Sequence, residues 1–116
     1  MIYIHSTGAE GFEWDASNVE HIARHGLQRA DVERALAGEP VTLFEGVTQA
    51  GERRWVSVGR SGAGRLLAVV WTVRGRRVRI VTAYPASRRQ QVAYEGAKVS
   101  NRGPGVSPDP GIQDRS

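Results

Sequence analysis

The chain has 116 residues, 40% of them hydrophobic, with no cysteine and a formal net charge of +4. That length suits one domain able to bury a core without staples, and the missing cysteines exclude thiolate nucleophiles, dithiol redox chemistry and Cys-based zinc sites. The longest apolar run, Leu66 to Trp71, is far short of the roughly 20 residues that span a bilayer, and the N-terminus lacks a basic flank before an apolar core, so a soluble, cytoplasmic protein with no membrane association is expected.

In chain order, residues 1–11 carry the apolar Ile2-Tyr3-Ile4 followed by His5-Ser6-Thr7-Gly8 and read as a loose N-terminal arm. Phe12-Glu13-Trp14 alternates like a short strand, and Asp15 is a good N-cap for a first helix over Ala16 to His25. Val19, Ile22 and Ala23 share one stripe of that helix, and Gly26 stands where a left-handed terminating residue belongs. A second helix, Arg29 to Ala37, is stopped by Gly38-Glu39-Pro40. Four strands follow: Val41 to Glu45, Arg53 to Val58, Arg65 to Val73 and Arg77 to Tyr84. Their connections include Ser61-Gly62-Ala63-Gly64 and Arg74-Gly75-Arg76, which suit tight reversals.

Within the third of these strands every residue from Leu66 to Trp71 is apolar, as in a central strand covered on both faces. In the fourth, Val78 and Ile80 oppose Arg77 and Arg79, and in the second, Val56 and Val58 oppose Arg53, Trp55 and Ser57. The alternation predicts one face covered by helices and another bearing arginines and an indole. Pro85 ends the sheet, Ser87 can cap, and Arg88 to about Gly96 reads as a closing helix. The folded domain spans residues 12–99, and residues 100–116, rich in Gly, Pro, Ser and Asp, read as a disordered tail.

Charge is divided between the halves. The first fifty residues hold three arginines against eight acids, whereas Gly51 to Val99 holds eleven Lys or Arg against two acids, a net +9. Guanidinium packed this densely repels itself, and an anionic partner, most often a nucleic acid, is the leading explanation.

Phe12-Glu13-Trp14-Asp15, Asn18, His21-Ile22, His25-Gly26-Leu27, Gly51-Glu52-Arg53, Gly64-Arg65-Leu66-Leu67, Val70, Thr72, Arg77 to Ile80, Ala86, Arg88-Arg89 and Tyr94-Glu95 form an ordered series. In these residues the chain resembles the BrnT toxin family. The resemblance implies an α+β, RelE-like fold with two N-terminal helices packed on a four-stranded, mainly antiparallel sheet and a C-terminal helix. It further implies an endoribonuclease that blocks translation, acting on RNA free or on the ribosome. A BrnA-like antitoxin with a ribbon-helix-helix region would neutralise it and supply any contact with operator DNA. The chain departs from many members at Tyr84, where an arginine is common, and at Gln90, where a glutamate is common.

RNA cleavage by the 2′-hydroxyl, leaving a cyclic phosphate, needs a base, positive charge for the phosphorane and an acid for the leaving oxygen. Arginine clamps phosphate oxygens in pairs, which makes Arg53, Arg79 and Arg88 candidates for the clamp, with Arg54, Arg74, Arg77 and Arg89 steering the strand. For proton transfer the candidates are His25, four residues from His21, together with Glu52 and Tyr94. His25 equally suits closing a helix end. Trp55, sharing a face with Arg53, is the candidate for base stacking, whereas Trp14 and Trp71 read as packing. With no cysteine, and His5 on the arm, no metal site and no cofactor are expected. The alternatives are a catalytically weakened RNA- or DNA-binding module, favoured by Tyr84 and Gln90, and an interaction domain whose basic face binds an acidic protein.

Overall fold

The computed structural model describes residues 11–100. The expected arm, apart from Gly11, and the expected tail beyond residue 100 lie outside the described residues. The elements are β1 (Phe12–Glu13), α1 (Ala16–Ala23), α2 (Arg29–Ala37), β2 (Val41–Val47), β3 (Arg53–Arg60), β4 (Leu66–Arg74), β5 (Arg77–Pro85) and α3 (Arg88–Ser100). Among the described residues the sheet has five strands in the order β1-β5-β4-β3-β2, not the four expected. Phe12-Glu13 joins as a parallel edge on β5, and the remaining pairs are antiparallel.

Both faces of the sheet meet helices, which corrects the one-sided expectation. On one face Ile22, Leu27, Val32, Ala35 and Leu36 of the α1–α2 segment pack on Trp55, Leu67, Val69, Trp71, Val78, Ile80 and Ala83. On the other, Tyr94 and Ala97 of α3 pack on Val41, Val58 and Ala68, with Leu43, Val56, Leu66 and Tyr84 beside them. Trp55 therefore belongs to the core. Its ring stacks on Trp71 at a centroid distance of 4.6 Å, it is only 8% exposed, and its Nε1 has no hydrogen-bond partner among the described residues. Trp71 Nε1 donates to Ser57 Oγ at 2.9 Å, and that hydroxyl also meets Thr42 Oγ1. The indole expected on an open face is thus internal because Trp55 sits directly opposite Trp71 across the β3–β4 ladder.

Helix α1 is fixed at both ends. Asp15 accepts from the backbone N–H groups of Ser17 and Asn18, while Asn18 Oδ1 accepts from Asp15 N–H, a reciprocal cap. At the other end Gly26, at φ 75°, lets its N–H reach Ala23 O and that of Leu27 reach Ile22 O. The helix stops at Ala23, two residues before the expected end, because these backbone bonds close it. Helix α2 approaches β3 closely at Gly59, where an added Cβ would lie 2.1 Å from the carbonyl oxygen of Ala35. α3 opens with Ser87 Oγ accepting from Gln90 N–H and Gln90 Oε1 accepting from Ser87 N–H, and it runs past the expected Gly96 to Ser100.

Candidate active site

Residues directly opposite in a ladder share a face, and alternate residues change face. Register therefore places Arg54 of β3, Thr72 and Arg74 of β4, and Arg77 and Arg79 of β5 on the face that α3 occupies. α3 crosses only the other end of that face, against Val41, Val58 and Ala68. Among the described residues, α3 leaves the half bearing the arginines uncovered.

A bulge shapes its border. Val70 pairs with Thr82 and Trp71 with Ile80, so Val81 is the extra residue of β5. Its carbonyl oxygen lies 3.2 Å from His21 Nδ1. A carbonyl can only accept, so Nδ1 is the donor, and the tautomer this contact selects has its lone pair on Nε2. Asn18, 1% exposed, anchors the same stretch: its Nδ2 donates to Glu13 O and Ile80 O at 2.9 and 3.0 Å. The helix that carries His21 is thereby stitched to β1 and β5.

His21, Ser17 and Asn18 form one wall of a depression of about 140 Å³, completed by Glu52, Arg54, Thr72, Arg74, Arg79 and Val81. Ligand pockets that engulf drug-sized molecules run to roughly 300–1,000 Å³, so this one is sized for a phosphate group. Glu52 holds two guanidiniums side by side, with Arg54 Nε at 2.8 Å from Oε1 and Arg74 Nη2 at 3.6 Å from Oε2. The Arg54 hydrogen bond, aided by the charge of Arg74, keeps the Glu52 carboxyl below its ordinary value of 4.5. Each guanidinium has five N–H donors, so both retain donors for a second anion. Arg79 is more tightly held: Nη1 lies 2.9 Å from Asp15 Oδ2 and 3.8 Å from Glu13 Oε1, and its side chain is 15% exposed.

The expected site residues are brought together in part. Glu52, Arg54, Arg74 and Arg79 line the depression, and Arg77 stands beside Arg79 on the same open face. Arg53 lies on the opposite face, level with Trp55, and pairs with Glu45. Arg88 and Arg89 open α3 beyond the far end of β5, and the strand between Arg79 and Tyr84 alone spans about 15 Å. His25 is exposed, with its ring 6.0 Å from that of Tyr84. Tyr94 is buried on the inner face of α3, with Arg60 and Lys98 over its ring. The sequence does not mark Ser17, Asn18 and Thr72 as site residues, and it offers His21 only as the companion of His25. Its i, i+4 spacing from His25 was the available signal, and only the bulge at Val81 distinguishes the two.

Among the described residues no group of three His, Asp or Glu is placed to hold a metal ion. No helix among them is long and apolar enough to cross a membrane. The molecule is thus a small α+β protein with a guanidinium-lined depression on one open sheet face. The family model for BrnT, the ribonuclease toxin of type II toxin–antitoxin systems, matches residues 14–90. The chain belongs to this ribonuclease toxin family, which brings with it an RNA substrate and an antitoxin partner. A search of curated proteins found no match.

Proposed function

We propose that the depression is the catalytic centre of a RelE-like, metal-independent endoribonuclease that cuts RNA in the cytoplasm and halts translation. One observation carries the reading: the sheet half left uncovered by α3 gathers Arg54, Arg74 and Arg79 around a phosphate-sized hollow with the His21 imidazole on its wall. His21 Nε2 takes the proton of the 2′-hydroxyl, and the freed oxygen attacks the adjoining phosphorus. Guanidinium donors from Arg54, Arg74 and Arg79 bind the phosphorane oxygens, where preorganised charge commonly gives the largest catalytic gain. The P–O5′ bond then breaks, and the protonated imidazole returns its proton to the leaving oxygen. The products are a 2′,3′-cyclic phosphate and a 5′-hydroxyl. Glu52, held ionised by its arginine partners, is a poor proton acceptor, and its part is to keep Arg54 and Arg74 parallel. Arg77 steers the strand.

The same guanidiniums suit an acidic segment of a BrnA-like ribbon-helix-helix antitoxin, which silences the enzyme by covering them. The test is induced expression with and without the neighbouring antitoxin gene. The parent should arrest protein synthesis, the doubly substituted Arg54→Ala, Arg74→Ala chain should not, and co-expression should restore growth with recovery of a stable complex. Unaffected translation on expression of the parent would contradict the proposal.

Tyr84 favours a second reading, a binding module without catalysis. Gln90 Nε2 lies 3.3 Å from Tyr84 Oη, so the two departures from the family pattern meet each other beneath α3. RNA binding without cleavage is the outcome that would select it.

A further inference from the structure

The depression is too small to engulf a nucleobase as well as a phosphate, so the bases flanking a bound linkage must lie on the sheet surface outside it. Single-stranded nucleic acid is held on such surfaces by aromatic rings beside basic groups. Phe44 is the one exposed Phe, Tyr or Trp among the described residues, at 58%. Its position follows from a second bulge. The β2–β3 register shifts between Thr42 and Phe44, leaving Leu43 as the extra residue. Simple alternation from Val41, which packs under α3, would put Phe44 on the α1–α2 face. The bulge turns it to the face that carries Arg54, Arg74 and Arg79.

The ring then folds along β2 over Gly46, where an added Cβ would lie 2.7 Å from two of its ring carbons. Gly46 is the residue directly opposite Arg54, and neighbouring strands are about 4.8 Å apart. The ring therefore lies one strand from the backbone of Arg54, whose guanidinium lines the depression, and on the same open face.

We infer that Phe44 is the stacking platform for a nucleobase next to the linkage held by Arg54 and Arg74, with Gly46 keeping the ring in place. The inference rests on the ribonuclease reading above. Stacking makes no phosphate contact, so it contributes affinity without releasing counterions.

The experiment measures binding of the full chain to a short single-stranded RNA oligonucleotide, 2′-O-methylated throughout to prevent cleavage, across a range of salt concentrations. Phe44→Ala should weaken binding roughly tenfold or more at every salt concentration, with the slope against salt unchanged. Phe44→Tyr should restore parental affinity, and Gly46→Ala, which displaces the ring without deleting it, should give an intermediate loss. An oligonucleotide with one abasic position beside the bound linkage should weaken the parent but not Phe44→Ala. Arg74→Ala, by contrast, should lower the salt slope by about one. Parental affinity in Phe44→Ala, while Arg74→Ala is impaired, would overturn the inference and leave the ribonuclease reading standing. So would a defect in Phe44→Ala confined to antitoxin binding, which would reassign the ring to a protein partner. No binding of the oligonucleotide by the parent would overturn both.

Discussion

The Nδ1 of His21 lies 3.2 Å from the carbonyl oxygen of Val81, the residue that the β5 ladder leaves unpaired. This fixes the ring at the wall of the guanidinium-lined depression, whereas His25, one turn on, meets the ring of Tyr84 instead. His21→Gln should therefore cut cleavage of a labelled RNA by roughly 10²–10⁴-fold, the usual range for losing a general base, with little change in KM. His25→Gln should stay within a few-fold of the parent.

The arginines divide by environment. Arg54 and Arg74, sharing Glu52 and about half exposed, should each lose RNA affinity and about one unit of salt slope on change to alanine, with thermal stability nearly intact. Arg79 is tied to Asp15 and Glu13, so Arg79→Ala should lower both RNA affinity and Tm. Arg53, paired with Glu45 on the other face, should be close to neutral in both measurements.

Asn18 is a structural pin. It donates to Glu13 O and Ile80 O and accepts from Asp15 N–H while buried. Asn18→Ala orphans these groups and should cost about 3 kcal/mol, seen as a fall in Tm of roughly 10–20 °C. Activity per folded molecule should fall as well, because the same bonds hold α1, and with it His21, against β5.

Acid should loosen that junction. The Asp15 carboxyl is held below its ordinary value of 3.8, chiefly by its hydrogen bond to Arg79 and then by the Asn18 N–H of the helix cap. A depressed carboxyl stabilises the fold fully above its unfolded value and loses that contribution as pH falls through the folded one. Thermal unfolding between pH 6 and pH 2 should show an Asp15-dependent loss of Tm beginning below about pH 4. In Asp15→Asn, which keeps a capping oxygen but no charge, that component should be absent.

Trp55, stacked on Trp71 inside the α1–α2 core, should behave as packing. Trp55→Ala should destabilise by about 3–5 kcal/mol, and Trp55→Phe should bind RNA like the parent.

The helices and strands were largely legible. Asp15, Gly26, Pro40 and Ser87 act locally, and local chemistry marked the element boundaries to within a few residues. The short Phe12-Glu13 strand was legible too, but its parallel pairing with Val78 and Arg79 depends on a long-range contact that no local pattern encodes. The faces were harder to read. Alternation correctly opposed Arg77 and Arg79 to Val78 and Ile80, yet matching Val56 and Val58 to the wrong partners put Trp55 outside. Two single-residue bulges, at Leu43 and Val81, then decide which side Phe44 and Thr82 occupy. A bulge is a property of two paired strands, so one strand's sequence does not reveal it. Charge patterning therefore points to Arg54, Arg74 and Arg79, which line one depression, whereas the placements of His21 and Phe44 depend on the bulges and are not legible in the sequence.

The most direct measurement of the central claim is incubation of the purified chain with end-labelled RNA in the presence of a chelator, followed by end-group analysis of the fragments. Cleavage in chelator that yields 2′,3′-cyclic phosphate and 5′-hydroxyl ends, lost in Arg54→Ala, Arg74→Ala and in His21→Gln, is the predicted result. Intact RNA, or fragments ending in a 3′-hydroxyl, would contradict it.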